Sequence, residues 1–417
     1  MPAMTSSAFV FGTDLLDEGI DTVLDRLQQR AGLDGIALSA TYHDARDVFP
    51  HNPRRHVFRN EGDVAWFAPR EGHYASGLVP RRAAAAGATD VLEALCRAAE
   101  PRRLAVAAWT IFTHNSVLAT AHPDYATRNV YGDPYLTDLC CANPRVRAYC
   151  VELAGDIAQR YPVQRLLAES LHYRPLEHGE HHERYLIPLP PEARTLMAQC
   201  WCEHCRAAGA RAGVVVAALA SSVQAALEPV WQGEITLPHA KPLLAESLRP
   251  ELERYVAVRT ATVASLVAEV RDAVSRHGVE LAFIDHGGTM SHVMPGTTAD
   301  DEVTLSSRKL GIDPAAAAAA SDVYGVLGYV DTPQRLAAML ASYRRVLGAK
   351  ARLAVALRPL LPDCQSAADF AAKVAVARAA GVEQLDFYHY AMMPLNRLDW
   401  IRAALDAAGE PAPGGAR

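Results

Sequence analysis

VQRLLAES, residues 163–170, is the stretch on which the reading of the fold turns. It is short, apolar through Leu166, Leu167 and Ala168, and carries a carboxylate, Glu169, at the end of that apolar run. A strand buried on both faces of a parallel sheet reads as such a run, whereas a half-solvated strand alternates. Further runs share its character: AFVFGTD (8–14), GIALSATYH (35–43), RLAVAAWTIF (103–112), VELAFIDHGG (279–288), SDVYGVLGYV (321–330), RLAVALRPLL (352–361) and EQLDFYHYAM (383–392). Between them lie patterns such as LLDEGIDTVLDRLQQRAG, PRVRAYCVELAGDIAQRY and TPQRLAAMLASYRRVLGA, whose apolar residues recur at helical spacing. Eight such βα units, with no GxGxxG or GxxxxGK[ST] phosphate loop, predict an α/β fold of the closed (β/α)8 TIM-barrel kind rather than an open nucleotide-binding sheet.

The spacing between runs predicts extended connections after strands two and four. Residues 44–102 hold a polar, aromatic insert, and residues 171–278 carry the HGEHHE run (178–183) and the CWCEHC run (200–205). Long connections in a compact domain usually cover or build a site. One barrel is expected over residues 1–408, with the Pro/Gly-rich tail 409–417 disordered. The chain has 417 residues, 50% of them apolar, and a net charge of −6, which gives no reason to expect nucleic acid or an anionic membrane as partner. No charged n-region precedes an apolar run at the N-terminus, and no segment reaches the roughly 18 apolar residues of a membrane span, so a cytoplasmic location is expected. A homo-oligomer is compatible with the long insertions.

A barrel of this kind carries its chemistry at the C-terminal mouth, so the polar residues at strand ends are the candidates. They are Asp14, His43, Trp109, His114, Asn115, Glu169, His172, Asp285, His286, Arg358, Asp386 and Tyr388. Any one alone reads equally well as a hydrogen-bonded barrel residue or a helix cap. Together, carboxylates, imidazoles and aromatics suit a polar ring such as a sugar, a small-molecule carbohydrate or glycoside. Glu169 and Asp285, on adjacent strands, are the expected catalytic pair, Glu169 as acid/base and Asp285 as its partner. His178, His182 and Glu183 of the histidine run are candidate ligand contacts; a plain polar loop and a metal site are the other readings, although the spacing fits no zinc-protease motif.

AAWTIFTHNSVLATAHPDYATRNVYGDPYLTDLCCANPRVRAYC, followed by the strand ending LLAES, resembles barrels of the glycoside hydrolase type, and over residues 8–405 the chain resembles alanine-rich, glycoside-hydrolase-like barrels of actinobacteria. A second resemblance, of Cys200, Cys202 and Cys205 to the C-x-C-x-x-C segment of glycoside hydrolase family 42 β-galactosidases, implies structural zinc. The fourth ligand implied is Cys141, with Cys140 as the alternate; reduced thiols packing a loop are the competing reading. Four thiolates would leave no open coordination position, and no organic cofactor is expected. In that family the strand-four Glu, matched by Glu169, is the acid, and the nucleophile is a Glu at the end of strand seven. Here that strand offers Arg358 instead. A divalent-metal sugar isomerase or epimerase using Glu169, Asp285 and His286 or His182, or a non-hydrolytic barrel acting on a sugar-like metabolite, therefore remains an alternative.

Overall fold

The computed structural model describes residues 4–176, 184–238, 241–289 and 303–409. Eight parallel strands, numbered here β1 to β8, are Thr5–Val10, Gly35–Val48, Ala105–Ile111, Arg165–Glu169, Glu280–Asp285, Val323–Leu327, Leu353–Leu357 and Gln384–Phe387. Each pairs with the next, and β8 returns to β1 with Asp386 opposite Ser7, so the sheet closes. Helices surround it, and the architecture is the expected (β/α)8 barrel. The strands lie within a few residues of the apolar runs. At the start, β1 ends at Val10 and Gly12–Glu18 is already helix.

Alternation along the strands divides the core in two. Phe9, Phe11, Ala37, Ala107, Trp109, Leu167, Ala282, Ile284, Ala354 and Ala356 meet inside the barrel. Their neighbours Val10, Leu38, Ala108, Leu166, Phe283 and Val355 face outward into the helical layer. The aromatics of β1 and β3 fill the volume that the alanines of β5 and β7 leave, which keeps the interior close-packed. At the N-terminal end Arg165 and Arg352 form ion pairs with Glu280, and Arg352 with Glu383.

Two connections shape the mouth. β2 runs on beyond the barrel and turns back as an antiparallel hairpin with Val57–Ala65, pairing Asp47 with Phe58. Its register slips between Ser39 and Thr41 and again between Tyr42 and Asp44, and each slip re-aims the side chains that follow. The long fourth connection contains helices Pro191–Met197, Glu203–Arg211, Val216–Trp231 and Arg249–Ser275. Upstream, the Asn143-Pro144 step opens helix Pro144–Arg160: the Asn143 side chain accepts from the Arg145 amide and proline occupies the first turn. No single helix among the described residues is long and apolar enough to cross a membrane.

Candidate active site and candidate metal centre

Glu169 is the last residue of β4, and because Leu167 points inward, so does Glu169. The Trp109 indole Nε1–H donates to Glu169 Oε2 at 2.5 Å, and His286 Nε2 lies 3.4 Å from Oε1. Burial pushes this carboxyl upward, but the hydrogen bond and charge of His286, with the indole donor, outweigh it and hold Glu169 below its ordinary value. Around it stand aromatic walls. Trp109 packs edge-on to Tyr42 at 4.8 Å and Tyr388 at 5.9 Å, and the two tyrosine hydroxyls meet at 3.1 Å. Arg358 lies over the Tyr329 ring at 4.1 Å and pairs with Asp363.

Three histidines at this mouth share one arrangement. Nδ1–H donates to a backbone carbonyl in His43 (Asp44, 2.8 Å), His172 (Tyr173, 2.7 Å) and His114 (Thr137, 3.2 Å). A carbonyl only accepts, so each neutral ring carries its proton on Nδ1 and a lone pair on Nε2. Burial lowers all three, His114 and His172 well below the ordinary histidine value. The rings pair as His43–His114, centroids 4.9 Å apart, and His172–His286, 5.0 Å apart. His172 Nε2 is buried with no hydrogen-bond partner among the described residues. The mouth thus presents an ionised carboxylate and neutral imidazole acceptors.

Other expected site residues sit elsewhere. Asp285 alternates with the inward Ile284 and therefore points out of the barrel, fully buried. It accepts from the Gly287 amide at 2.7 Å and from the hydroxyls of Ser307, Tyr324 and Tyr343 at 2.6, 2.6 and 3.0 Å. That geometry joins β5 to its outer helices and excludes the expected partnership with Glu169. Asp386 faces inward but below Tyr388, where Ser7 and Gln384 donate to it at 2.5 and 2.6 Å. Asp14 is in the first turn of its helix, accepting the Phe11 amide at 2.8 Å. Asn115 caps helix Ser116–Ala121, accepting from the Leu118 amide at 2.8 Å. The run with His178, His182 and Glu183 lies outside the described residues.

The cysteine cluster is real, with one change of member. Cys140, Cys200, Cys202 and Cys205 bring their sulfurs within 4.8 Å of one another, all buried. Cys140 Sγ is 3.4 Å from Cys202, 3.5 Å from Cys205 and 3.8 Å from Cys200. A tetrahedron with zinc–sulfur bonds of about 2.3 Å has edges of roughly 3.8 Å, so the four residues fit such an ion. Cys141, the expected fourth ligand, is not among them: adjacent side chains diverge, and it is Cys140 that faces the loop. The sulfurs titrate as a set, Cys202 held low by hydrogen bonds from Cys140, Cys200 and Cys205, while Cys140 is raised. Trp201 stacks on Tyr255 at 4.6 Å, and the Tyr255 hydroxyl donates to the Cys200 carbonyl at 2.7 Å, tying the loop to helix Arg249–Ser275. Among the described residues this is the sole group of three or more metal-ligating side chains so close together. The combination of Glu169, Asp285 and His286 does not assemble.

No protein-family model and no curated protein sequence matches the chain. Solved structures do. The glycoside hydrolase domain of PgaB (BpsB) from Bordetella bronchiseptica superposes with a TM-score of 0.55 at 13% identity, covering 97% of this chain and 98% of that one. A β-galactosidase from the psychrophilic Marinomonas ef1 gives 0.56 at 12% identity, covering 97% of this chain and 59% of the other. The α-L-fucosidase isoenzyme 2 of Paenibacillus thiaminolyticus gives 0.53 at 11%, covering 97% and 49%. The chain is thus similar in fold to glycoside hydrolase barrels, and spans about half to three fifths of the two larger enzymes.

Sequence reasoning did not single out Arg174 and Asp138, although both lie beside the mouth. Arg174 donates to Ser170 Oγ at 2.9 Å, and Asp138 Oδ1 stands 3.4 Å from His114 Nδ1 and 3.8 Å from Arg174 Nε. Neither ends a strand: Asp138 comes from the short hairpin Ala126–Arg128/Pro134–Leu139 in the third connection. Tyr329, under Arg358, was within the sixth apolar run and carried no separate signal.

Proposed function

We propose that the chain is a carbohydrate-active enzyme that cleaves or rearranges a glycosidic bond at the barrel mouth, with Glu169 as the carboxylate facing the anomeric carbon. The observation that carries this reading is the set of acceptors around Glu169. Sugar hydroxyls are donors as well as acceptors, and imidazole lone pairs beside a carboxylate bind them, while Trp109, Tyr42 and Tyr388 offer faces and edges for the ring. The fold shared with glycoside hydrolase domains supports the same reading. Glu169, kept ionised by His286 and Trp109, is suited to stabilise or attack positive charge on the sugar rather than to donate a proton. His43, His114, His172, His286, Arg358 and Tyr388 are the proposed ligand contacts.

The four-cysteine site would hold structural zinc, joining the third connection to the fourth; bound there, zinc supplies rigidity and no open position for water. A panel of aryl glycosides tests the reading: wild-type protein releases the aryl group from at least one, and Glu169→Gln slows that release by about 10²-fold or more. Full activity in Glu169→Gln would refute it.

A further inference from the structure

The mouth has one ionised carboxylate in place, and the partner expected on β5 faces away from it. The hairpin that extends β2 supplies another. Side chains directly opposite in an antiparallel pair share a face, as do alternate residues along each strand. Ala45 pairs with Asn60 and Asp47 with Phe58. Ala45, Phe49 and Phe58 pack against the cluster inside the barrel, Phe49 with its ring 5.9 Å from Phe11 and 5.8 Å from Phe58. Asp47, set between Ala45 and Phe49 and across from Phe58, therefore turns toward the mouth. The Asn60 amide donates to its Oδ2 at 3.0 Å, and the side chain is half-buried.

We infer that Asp47 is the proton donor that works with Glu169, a role that rests on the glycosidase reading of the mouth. Glu169 and Asp47 both act on the same two groups: burial raises the Tyr42 and Tyr388 phenols, and the charges of both carboxylates raise them further. The tyrosine pair thus lies under the influence of both acids. Burial pushes Asp47 up to about 6, with Asn60 opposing. The other ionisable groups facing it are Asp14 of the first helix, which feels its charge, and the two tyrosines; Arg55, stacked on Phe58 at 5.0 Å, is engaged by Asp17. Glu169 is held low and Asp47 high, the separation of proton affinities that assigns base and acid in a carboxylate pair.

In the step so assigned, the Asp47 carboxyl O–H gives its proton to the glycosidic oxygen as the bond from that oxygen to the anomeric carbon breaks. The bonding pair stays on the oxygen, and the leaving group departs as a neutral alcohol. Glu169 meets the positive charge that develops at carbon. Water then supplies hydroxyl to the anomeric carbon, and its second proton restores Asp47, so glycoside plus water becomes hemiacetal plus alcohol.

The test compares wild type, Asp47→Asn and Glu169→Gln on a series of aryl glycosides of one sugar whose leaving phenols range from acidic to weakly acidic, across pH. A lost proton donor leaves acidic phenols departing nearly unaided and slows weakly acidic ones, a difference of about 10²-fold or more. In wild type, turnover should fall as pH rises through about 6, since Asp47 must be protonated. Asp47→Asn should lose that limb and gain a steep dependence on the phenol. A uniform loss across all phenols, or an unchanged profile, would overturn the assignment while leaving the hydrolase reading intact. No release by wild type from any glycoside would overturn the hydrolase reading and the assignment with it.

Discussion

At the scale of single residues, the function of a strand-end side chain here depends on parity. His286 and Asp285 are neighbours, yet one meets Glu169 inside the barrel and the other meets Tyr324, Tyr343 and Ser307 outside it. Glu169→Gln is expected to cut turnover by about 10²- to 10⁴-fold with the unfolding transition unchanged, measured by steady-state kinetics and thermal melting. Asp285→Asn should do the reverse. It sets an amide donor against buried hydroxyl and amide donors, which should cost about 1–3 kcal/mol in denaturant unfolding with little change in kcat. Trp109→Phe removes the donor to Glu169 Oε2 but keeps the ring, so the carboxyl rises. In the proposed role Glu169 acts ionised, so the acid limb of the pH–rate profile should then move to higher pH. Which residues end strands was legible in the sequence; which of them point inward was not, since runs buried on both faces are apolar at odd and even positions alike. Asp285 could be separated from Glu169 only once the alternation was fixed, and Asp386, which also faces inward, only by its place below Tyr388 beside Ser7 and Gln384.

At the scale of elements, the barrel strands were readable because the runs are short, apolar and separated by helical spacing, and the cluster ligands because three cysteines fall in CWCEHC. The fourth ligand was not decided by spacing. Cys140 and Cys141 are adjacent, and only the geometry of the loop before helix Pro144–Arg160 turns Cys140 toward the others. The difference is measurable. Cys140→Ala should abolish bound metal, read by mass spectrometry of the metal per chain, whereas Cys141→Ala should retain it. Stripping the ion should lower Tm and make residues 184–238 more open to proteolysis, because Trp201 and Cys200 anchor that segment to helix Arg249–Ser275. The hairpin on β2 was legible only as a polar, aromatic insert. Its strand pairing and inward face come from two register slips that leave no mark in composition.

At the scale of the whole molecule, the two ends of the barrel differ in how their polar groups are satisfied. At the N-terminal end Arg165, Arg352, Glu280 and Glu383 pair with one another, whereas the mouth keeps a buried histidine acceptor at His172 without a partner among the described residues. Unmet hydrogen-bonding capacity inside a protein marks where a ligand or water completes the structure. The hairpin is an addition to this frame. Replacing residues 45–60 by Asn-Gly would close a two-residue turn on the Asp44–Glu61 pair. The shortened protein should still unfold cooperatively by circular dichroism, at lower Tm since Asn52 and Arg55 no longer satisfy Asp17, and it should lose turnover. Glu169, Trp109 and His286 are fixed by the barrel ladder, but the face opposite them is carried on an appendage of one strand. On the proposed reading, variation in that appendage would retune what the mouth accepts without a single change to the scaffold that folds it.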